Sequence, residues 1–295
     1  MKKSYKRLFY ILYLPFFIFE IYIYKIFKFK NTSVAYQSMI EYFCITGGWS
    51  NELIHKILKK KKLCKNEDQE IEIHNLKKDG YFIKKKFLSP KDVLEFKKEL
   101  SKIDGYWYGD NYVSRVKEKI NDEIKSTKYY YHANDLLKVN SVQKILSNNV
   151  IKNIASNYLD AEPILYNINC WYSFPSILPD SNAAQLWHFD MDRPKWLKLF
   201  FYISDCNENN GPHCYIKGTN RNNNIPFKIR KLGYSRIHDQ IINNEYHKND
   251  LMEFNFNEGD LIFEDTRGLH KGKQLKSDFR LMFQIEYTSS LFGNS

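Results

Sequence analysis

The stretch "AAQLWHFDMDRP" (residues 183–194) places His188 and Asp190 two positions apart. In an extended segment the side chains at i and i+2 leave the same face, so this spacing can present an imidazole and a carboxylate to one ion. The tripeptide is weak alone. With 8 His and 17 Asp in 295 residues, roughly half an H-x-D per chain is expected from composition. Its meaning rests on partners elsewhere.

One partner stands in "GDLIFEDTRGLHKG" (259–272), where His270 follows a short apolar run, and ten residues later comes Arg280. Two His and one carboxylate on one face of an octahedral Fe(II) leave three positions open, the arrangement of non-haem iron oxygenases. Two of those positions can take the 2-oxo and carboxylate oxygens of 2-oxoglutarate, and the third can take O2. The far carboxylate of the cosubstrate then needs an always-charged, bidentate partner, which a guanidinium supplies better than an ammonium. Arg280 has that chemistry.

The chain around these residues reads as mainly β after residue 160. The strand candidates are "ILYNINCWYSF" (164–174), "LKLFFYIS" (197–204), "HCYIKG" (213–218), "DLIFED" (260–265) and "FRLMFQIEYT" (279–288); "NENNGP" and "NEGD" are turns by composition. Many short strands with turn signals predict a sandwich or jelly-roll barrel with flanking helices rather than an α/β sheet. Before residue 160, "GYFIKKKF" (80–87) and "YYYH" (129–132) read as strands, and "VQKILSNNVIKNIASNYL" (142–159) as helical. In "LSPKDVLEFKKEL" (88–100), Ser89 is placed to cap, Pro90 takes the first helical position, and Val93, Phe96 and Leu100 form one apolar stripe.

Four blocks, in order, resemble the phytanoyl-CoA dioxygenase family of Fe(II)/2-oxoglutarate-dependent oxygenases. They are "KKDGYFIKKKFLSPKDVLEFKKEL", "QLWHFDMD", "YISDCNENNGPHCYIKGTN" and "GDLIFEDTRGLHKGKQLKSDFR", and the likeness covers about residues 72–290. The resemblance implies a double-stranded β-helix, cupin-like core. It implies His188, Asp190 and His270 as ligands of a catalytic Fe(II), and Arg280 as the partner of the cosubstrate's carboxylate. It implies a further polar contact from the strand before the H-x-D, for which Asn169 and Tyr172 are the candidates, with Asn167 beside them. Turnover of 2-oxoglutarate and O2 would release succinate and CO2 while a small-molecule substrate is hydroxylated. Lys217, Asn220 and Gly272 depart from the family, which often has Pro, His and a small hydroxyl residue in those places.

The remaining features bound the rest. Apolar residues make up 43% of the chain, so a packed core is expected. Residues 1–65 carry 13 Lys and Arg against 3 Asp and Glu, and the rest 32 against 31, so the net charge of +11 belongs to the N-terminus. A near-neutral body argues against a specific nucleic-acid partner. Five Cys, an odd number without a C-x-x-C pair, predict reduced thiols and a cytosolic location.

The expected division is a basic, aromatic-rich segment at 1–70, holding a small helical piece after residue 31 in which Gly47 and Gly48 break the chain and Ser50 can cap, and an oxygenase domain at 71–295, joined by a polar linker near 63–71. The uncharged run at 8–19 is shorter than the ~20 residues that span a bilayer. With its cationic flanks it reads either as a membrane-interface segment within residues 1–30 or as a helix packed on the body. Trp187, Arg193 and Trp196 flank the site, where substrate contact and plain packing are the two readings. Residues 222–257, polar and Asn-rich, are expected to form a lid or insertion that sets specificity. Lipids, acyl groups, sugars and other metabolites all remain open as substrates. The contrasting reading is a non-oxidative barrel, metal-bound or inactive, used for binding at a membrane surface.

Overall fold

In three strands every second residue faces the same way, and this alternation lays down the two sides of the main sheet. The computed structural model describes residues 3–28, 30–60, 69–108, 118–120, 124–175, 184–232 and 236–293. Its elements run α1 (Lys3–Phe27), α2 (Ser33–Thr46), α3 (Trp49–Leu58), α4 (Glu70–Asp79), β1 (Tyr81–Lys84), α5 (Pro90–Leu100), β2 (Gly105–Trp107), β3 (Lys128–Tyr131), α6 (Ala133–Leu136), α7 (Asn140–Ser147) and α8 (Asn149–Leu159). They continue with β4 (Ile164–Ser173), β5 (Trp196–Tyr202), β6 (His213–Ile216), α9 (Phe227–Arg230), α10 (Asp239–Asn243), β7 (Leu251–Phe254), β8 (Leu261–Glu264), β9 (His270–Gly272) and β10 (Arg280–Thr288).

The strands form a seven-stranded sheet in the order β1-β8-β5-β10-β4-β3-β2 and a three-stranded sheet in the order β7-β6-β9, antiparallel throughout. This is the double-stranded β-helix expected from the sequence. On one face of the large sheet, Ile168 and Cys170 of β4, Leu197, Leu199 and Phe201 of β5, and Leu281, Phe283 and Ile285 of β10 pack against Val93 and Phe96 of α5, Val142 of α7 and Ile154 of α8. The intervening residues of the same strands face the smaller sheet, and a cavity lies between them.

Local signals explain several boundaries. Ser89 and Asp92 form a reciprocal capping box on α5, with Pro90 at its first position. Gly80 ends α4 with φ +90°, a left-handed conformation that costs glycine nothing, and a Cβ there would lie 2.2 Å from the Tyr215 hydroxyl. The helix expected over 142–159 is two. Asn148 interrupts it, and its side-chain oxygen accepts from the amides of Val150 and Ile151, a stronger local arrangement than continuing the turn. Ser50 does not cap α3. Gly48 holds that position, and the Ser50 hydroxyl accepts from Thr46 one turn back. Residues 61–68, most of the expected linker, lie outside the described residues.

Two of the N-terminal helices, α2 and α3, pack directly on the barrel. Ile40, Phe43 and Cys44 of α2 share a cluster with Trp187, Phe189 and Met191 around the H-x-D segment. Arg230 donates to the Cys44 carbonyl (2.7 Å), and His55 bonds Ser289 after β10 (2.8 Å). Helix α1 is longer than its uncharged run suggests. Glu20, which would interrupt an apolar helix, is held by hydrogen bonds from Tyr13 and Thr32, so the helix runs on to Phe27. Leu8–Phe27 is long and apolar enough to cross a membrane by length and composition. One stripe of α1 (Phe17, Ile21, Tyr24) packs on Met39, Ile54 and Phe292, and the opposite face leaves Leu12, Phe16, Phe19 and Ile26 more than 60% exposed.

Candidate metal centre

His188 and His270 lie on opposing segments joined backbone to backbone. The His188 amide donates to the His270 carbonyl at 3.0 Å and the His270 amide returns the bond at 2.9 Å. The Asp190 amide is fixed to the Thr266 carbonyl at 2.8 Å. These bonds bring the three side chains together, with one ligand atom from each lying within 4.8 Å of the others. The Asp190 oxygens stand 3.9 Å and 3.6 Å from Nε2 of His188 and His270.

Both rings are oriented for coordination through Nε2. Nδ1 of His188 lies 2.8 Å from the Leu186 carbonyl and Nδ1 of His270 lies 2.9 Å from the Gly268 carbonyl. A carbonyl can only accept, so Nδ1 carries the proton and Nε2 keeps its lone pair. Burial pushes the His188 pKa down to about 4, against the opposing pull of Asp190. Burial and then His188 push that of His270 to about 3. Both are therefore neutral near pH 7, as metal binding requires. Burial alone would raise the Asp190 carboxyl, but the Lys198 ammonium and the two imidazoles hold it well below the usual range.

Lys198 was not anticipated from the sequence. It points into the cavity from β5, with Nζ at 2.7 Å from Asp190 Oδ2 and 3.8 Å from carboxylate oxygens of both Asp192 and Glu286. Its signal was present as the one charged residue within "WLKLFFYI". Polar residues at alternate positions of β4 and β10, Asn167 and Asn169 against Gln284 and Glu286, carry the same message.

The cavity measures about 300 Å³. His188, Asp190, His270, Asn169 and Arg280 all line it, as do Lys128, Lys198, His213, Arg236 and Gln284. His213 turns in from β6 and is paired with Glu264 at 2.7 Å. Tyr172 requires a correction. It is three residues from Asn169, and an odd spacing on a strand sends it to the opposite face, where it packs on the main core beside Tyr131 and Phe174. Trp171 takes the cavity side instead. Trp187 and Trp196 are buried packing residues, with Trp196 also donating to the Thr266 hydroxyl. The Arg193 guanidinium lies over Tyr166 and donates to the Leu291 carbonyl.

Two buried polar atoms in this cavity have no hydrogen-bond partner among the described residues, Nε of Arg280 and the hydroxyl of Tyr202. Buried donors are normally satisfied, so this end of the cavity is shaped for an acceptor such as a carboxylate. Gly272 lies against the guanidinium, and a Cβ there would meet Nη2 at 3.4 Å. The His-Asp-His set and a free-standing arginine in one pocket fit an Fe(II) ion and a dicarboxylate.

The family model described as phytanoyl-CoA dioxygenase matches residues 76–282. The chain belongs to that family. It is a family of Fe(II)-, 2-oxoglutarate- and O2-using enzymes, and the geometry above is the one that chemistry requires. Among solved structures, the non-haem α-ketoglutarate-dependent epimerase SnoN from nogalamycin biosynthesis matches with TM-score 0.51 and 14% identity, over 74% of this chain and 81% of its own. The same epimerase in complex with Fe3+, α-ketoglutarate and nogalamycin RO gives 0.50 and 13%, over 74% and 82%. HygX from Streptomyces hygroscopicus, with nickel and 2-oxoglutarate bound, gives 0.49 and 14%, over 75% and 87%. At these identities the SnoN likeness establishes the fold. No curated protein sequence matches the chain.

Proposed function

We propose that this member of the phytanoyl-CoA dioxygenase family is an Fe(II)/2-oxoglutarate-dependent dioxygenase that hydroxylates a small molecule. The observation that carries the reading is the co-location, in one cavity of about 300 Å³, of the His188–Asp190–His270 set and the unpartnered Nε of Arg280. Bound iron, with 2-oxoglutarate and O2, supplies oxidation of a substrate C–H bond with release of succinate and CO2. His188 and His270 hold the metal through Nε2 and Asp190 through a carboxylate oxygen. Arg280 takes the far carboxylate of the cosubstrate, with the cations of Lys128 and Arg236 in the same cavity. Trp171, Phe200 and Met282 give the cavity apolar walls that restrict water.

The substrate enters a site bordered by the segment at 222–257, whose end, β7, belongs to the smaller sheet. Arg236 from that segment lines the cavity, and Ile237 is bridged to Trp187, beside His188. This segment is the proposed seat of specificity, with lipid, acyl, sugar and other metabolite substrates all compatible with it. The oxygenase unit is proposed as residues 71–295, with α2 and α3 of the N-terminal segment packed against it. Four buried cysteines (Cys44, Cys170, Cys206 and Cys214), in no disulfide among the described residues, suit a reducing, cytosolic compartment.

The test is an anaerobic titration of the full chain with Fe(II) and then 2-oxoglutarate, following the visible absorption of the metal chelate. A saturable band that weakens in Arg280→Ala is the expected result. Fe(II) binding without any 2-oxoglutarate response would favour a barrel that has kept a metal site and lost the oxygenase chemistry.

A second proposal concerns α1, whose exposed apolar face and cationic flanks suit contact with an anionic membrane surface. Co-sedimentation with anionic vesicles that is lost in a Phe16→Ser/Phe19→Ser double variant is expected. Unchanged sedimentation of that variant would dismiss the contact.

A further inference from the structure

A second cavity, of about 570 Å³, lies among α3, α8, the start of β5 and the turn at 220–222, and shares no lining residue with the oxygenase cavity. Six cations line it (Lys56, Lys59, Lys77, Lys195, Arg221 and Arg267) against two carboxylates, Glu52 and Asp160. The carboxylates do not neutralise the set. Lys59 engages Asp160, and Arg267 is already held by Asp265 at 2.6 Å with Glu52 3.8 Å away.

Lys195 is the telling member. Its ammonium has no hydrogen bond or ion pair among the described residues and rests 5.2 Å from the centroid of the Tyr158 ring. Burial and then the nearby Arg267 push its pKa down to about 8. Like charges crowded around a void repel one another, and a bound anion removes that cost. Asn220 adds a different requirement. Its Nδ2 donates to the carbonyls of Leu76 (3.2 Å) and Lys77 (3.3 Å), while its buried Oδ1 has no partner among the described residues and would accept from a hydroxyl. Trp49, 60% exposed, stands in the wall as a flat apolar surface.

We propose that this cavity is a binding site for a hydroxyl-bearing organic phosphate, such as a sugar phosphate, separate from the oxygenase site. Lys195 and Arg221 meet the phosphate, Asn220 accepts from a hydroxyl, and Trp49 covers an apolar face of the ligand. A lipid headgroup and a free metabolite share this chemistry.

The test uses the full chain and isothermal titration with glucose 1-phosphate and pyrophosphate, with glucose and sulfate at matched ionic strength as controls. Saturable binding of the phosphates, weakened about tenfold or more by Lys195→Met and severalfold by Arg221→Ala, is the expected result. Lys195→Met removes an unpartnered cation and should leave the fold intact. Should it misfold, Arg221→Ala, on an exposed side chain, carries the test. No saturable phosphate binding, or equal affinity in folded Lys195→Met and Arg221→Ala proteins, would overturn the proposal. Vesicles containing phosphatidic acid separate the two sources. Capture that pyrophosphate reverses assigns a lipid headgroup, and solution binding alone assigns a free metabolite. Because the two cavities share no wall residue, the 2-oxoglutarate response of the same variants reports separately on the oxygenase reading.

Discussion

Asp190 accepts a hydrogen bond from Lys198 at 2.7 Å, so the carboxylate of the proposed metal set is already engaged by a buried ammonium. Asp192 and Glu286 stand 3.8 Å from the same nitrogen. The three carboxylates therefore share one lysine, with Glu286 also accepting from Asn167 and Gln284. A divalent ion bound by Asp190 would share that task.

Replacing Lys198 with Met should lower the melting temperature of the metal-free protein. Removing one partner of a buried ionic cluster typically costs about 3–5 kcal/mol. The same variant should show a larger rise in melting temperature on adding Mn(II) than the parent, because the ion now compensates a site that lacks its own cation. Thermal scans with and without Mn(II) measure both. An equal metal-induced rise in the two proteins would show that Lys198 has no bearing on the metal centre.

His270→Ala should abolish stoichiometric Fe(II) binding and uncouple the site without unfolding the barrel, since its neighbours are held by backbone bonds that the substitution retains. Equilibrium dialysis of Fe(II) against the variant, with circular dichroism as the fold control, decides this.

Arg280→Ala should weaken 2-oxoglutarate by about 10–100-fold, the range of a lost hydrogen-bonded charge pair. Arg280→Lys should recover only part of that, because an ammonium keeps the charge without the fork. Dissociation constants from the anaerobic titration give the ranking. Full recovery with Lys would show that charge alone matters there.

Acid should destabilise the protein from about pH 6.5 downward. His55 lies buried beside Ser289, and burial, followed by Lys195, Arg267 and Lys59, pushes its pKa to about 3. The unfolded chain titrates near 6.5, so below that pH it binds the proton that the folded chain refuses. Stability is thus complete above the unfolded value and falls by up to about 1.4 kcal/mol per pH unit for this histidine. Urea midpoints between pH 7 and 4.5 should fall less steeply in His55→Gln than in the parent. Parallel slopes would mean that His55 protonates in the folded state.

Gly80→Ala tests the junction of α4 and β1. The new Cβ would need a φ of +90° and would strike the Tyr215 ring, whose hydroxyl donates to the Asp265 carbonyl at 2.9 Å. A loss of about 2–4 kcal/mol is expected from left-handed strain plus overpacking, read as a shift in urea midpoint.

Much of this was legible in the sequence because it depends on short-range rules. The Ser89–Asp92 capping box and the H-x-D parity are local, and the short apolar run in "FRLMFQIEYT" named a strand whose partners then followed from the fold. What stayed hidden is long-range. Nothing near Tyr172 says which face of β4 meets the smaller sheet, and only the pairing of β4 with β10 assigns Asn169 and Trp171 inward. Lys198 stands alone as a charge in an apolar run, and only the fold brings Asp190 and Glu286 to it. The split at Asn148 shows the reverse case, in which a local cap outweighs an apparently continuous helical period.

The pairing of β1 with β8 places Tyr81 opposite Glu264 and Lys84 opposite Leu261. During synthesis β1 must wait while about 180 further residues emerge before its only partner in the large sheet exists, and such distant closures make folding slow. The nascent chain therefore exposes a complete first third, including the apolar faces of α1, α2 and α5, long before the barrel can cover them. Refolding is expected on the scale of seconds or longer, and a chaperone that shields these helices would raise the yield of closed barrel without touching its final stability.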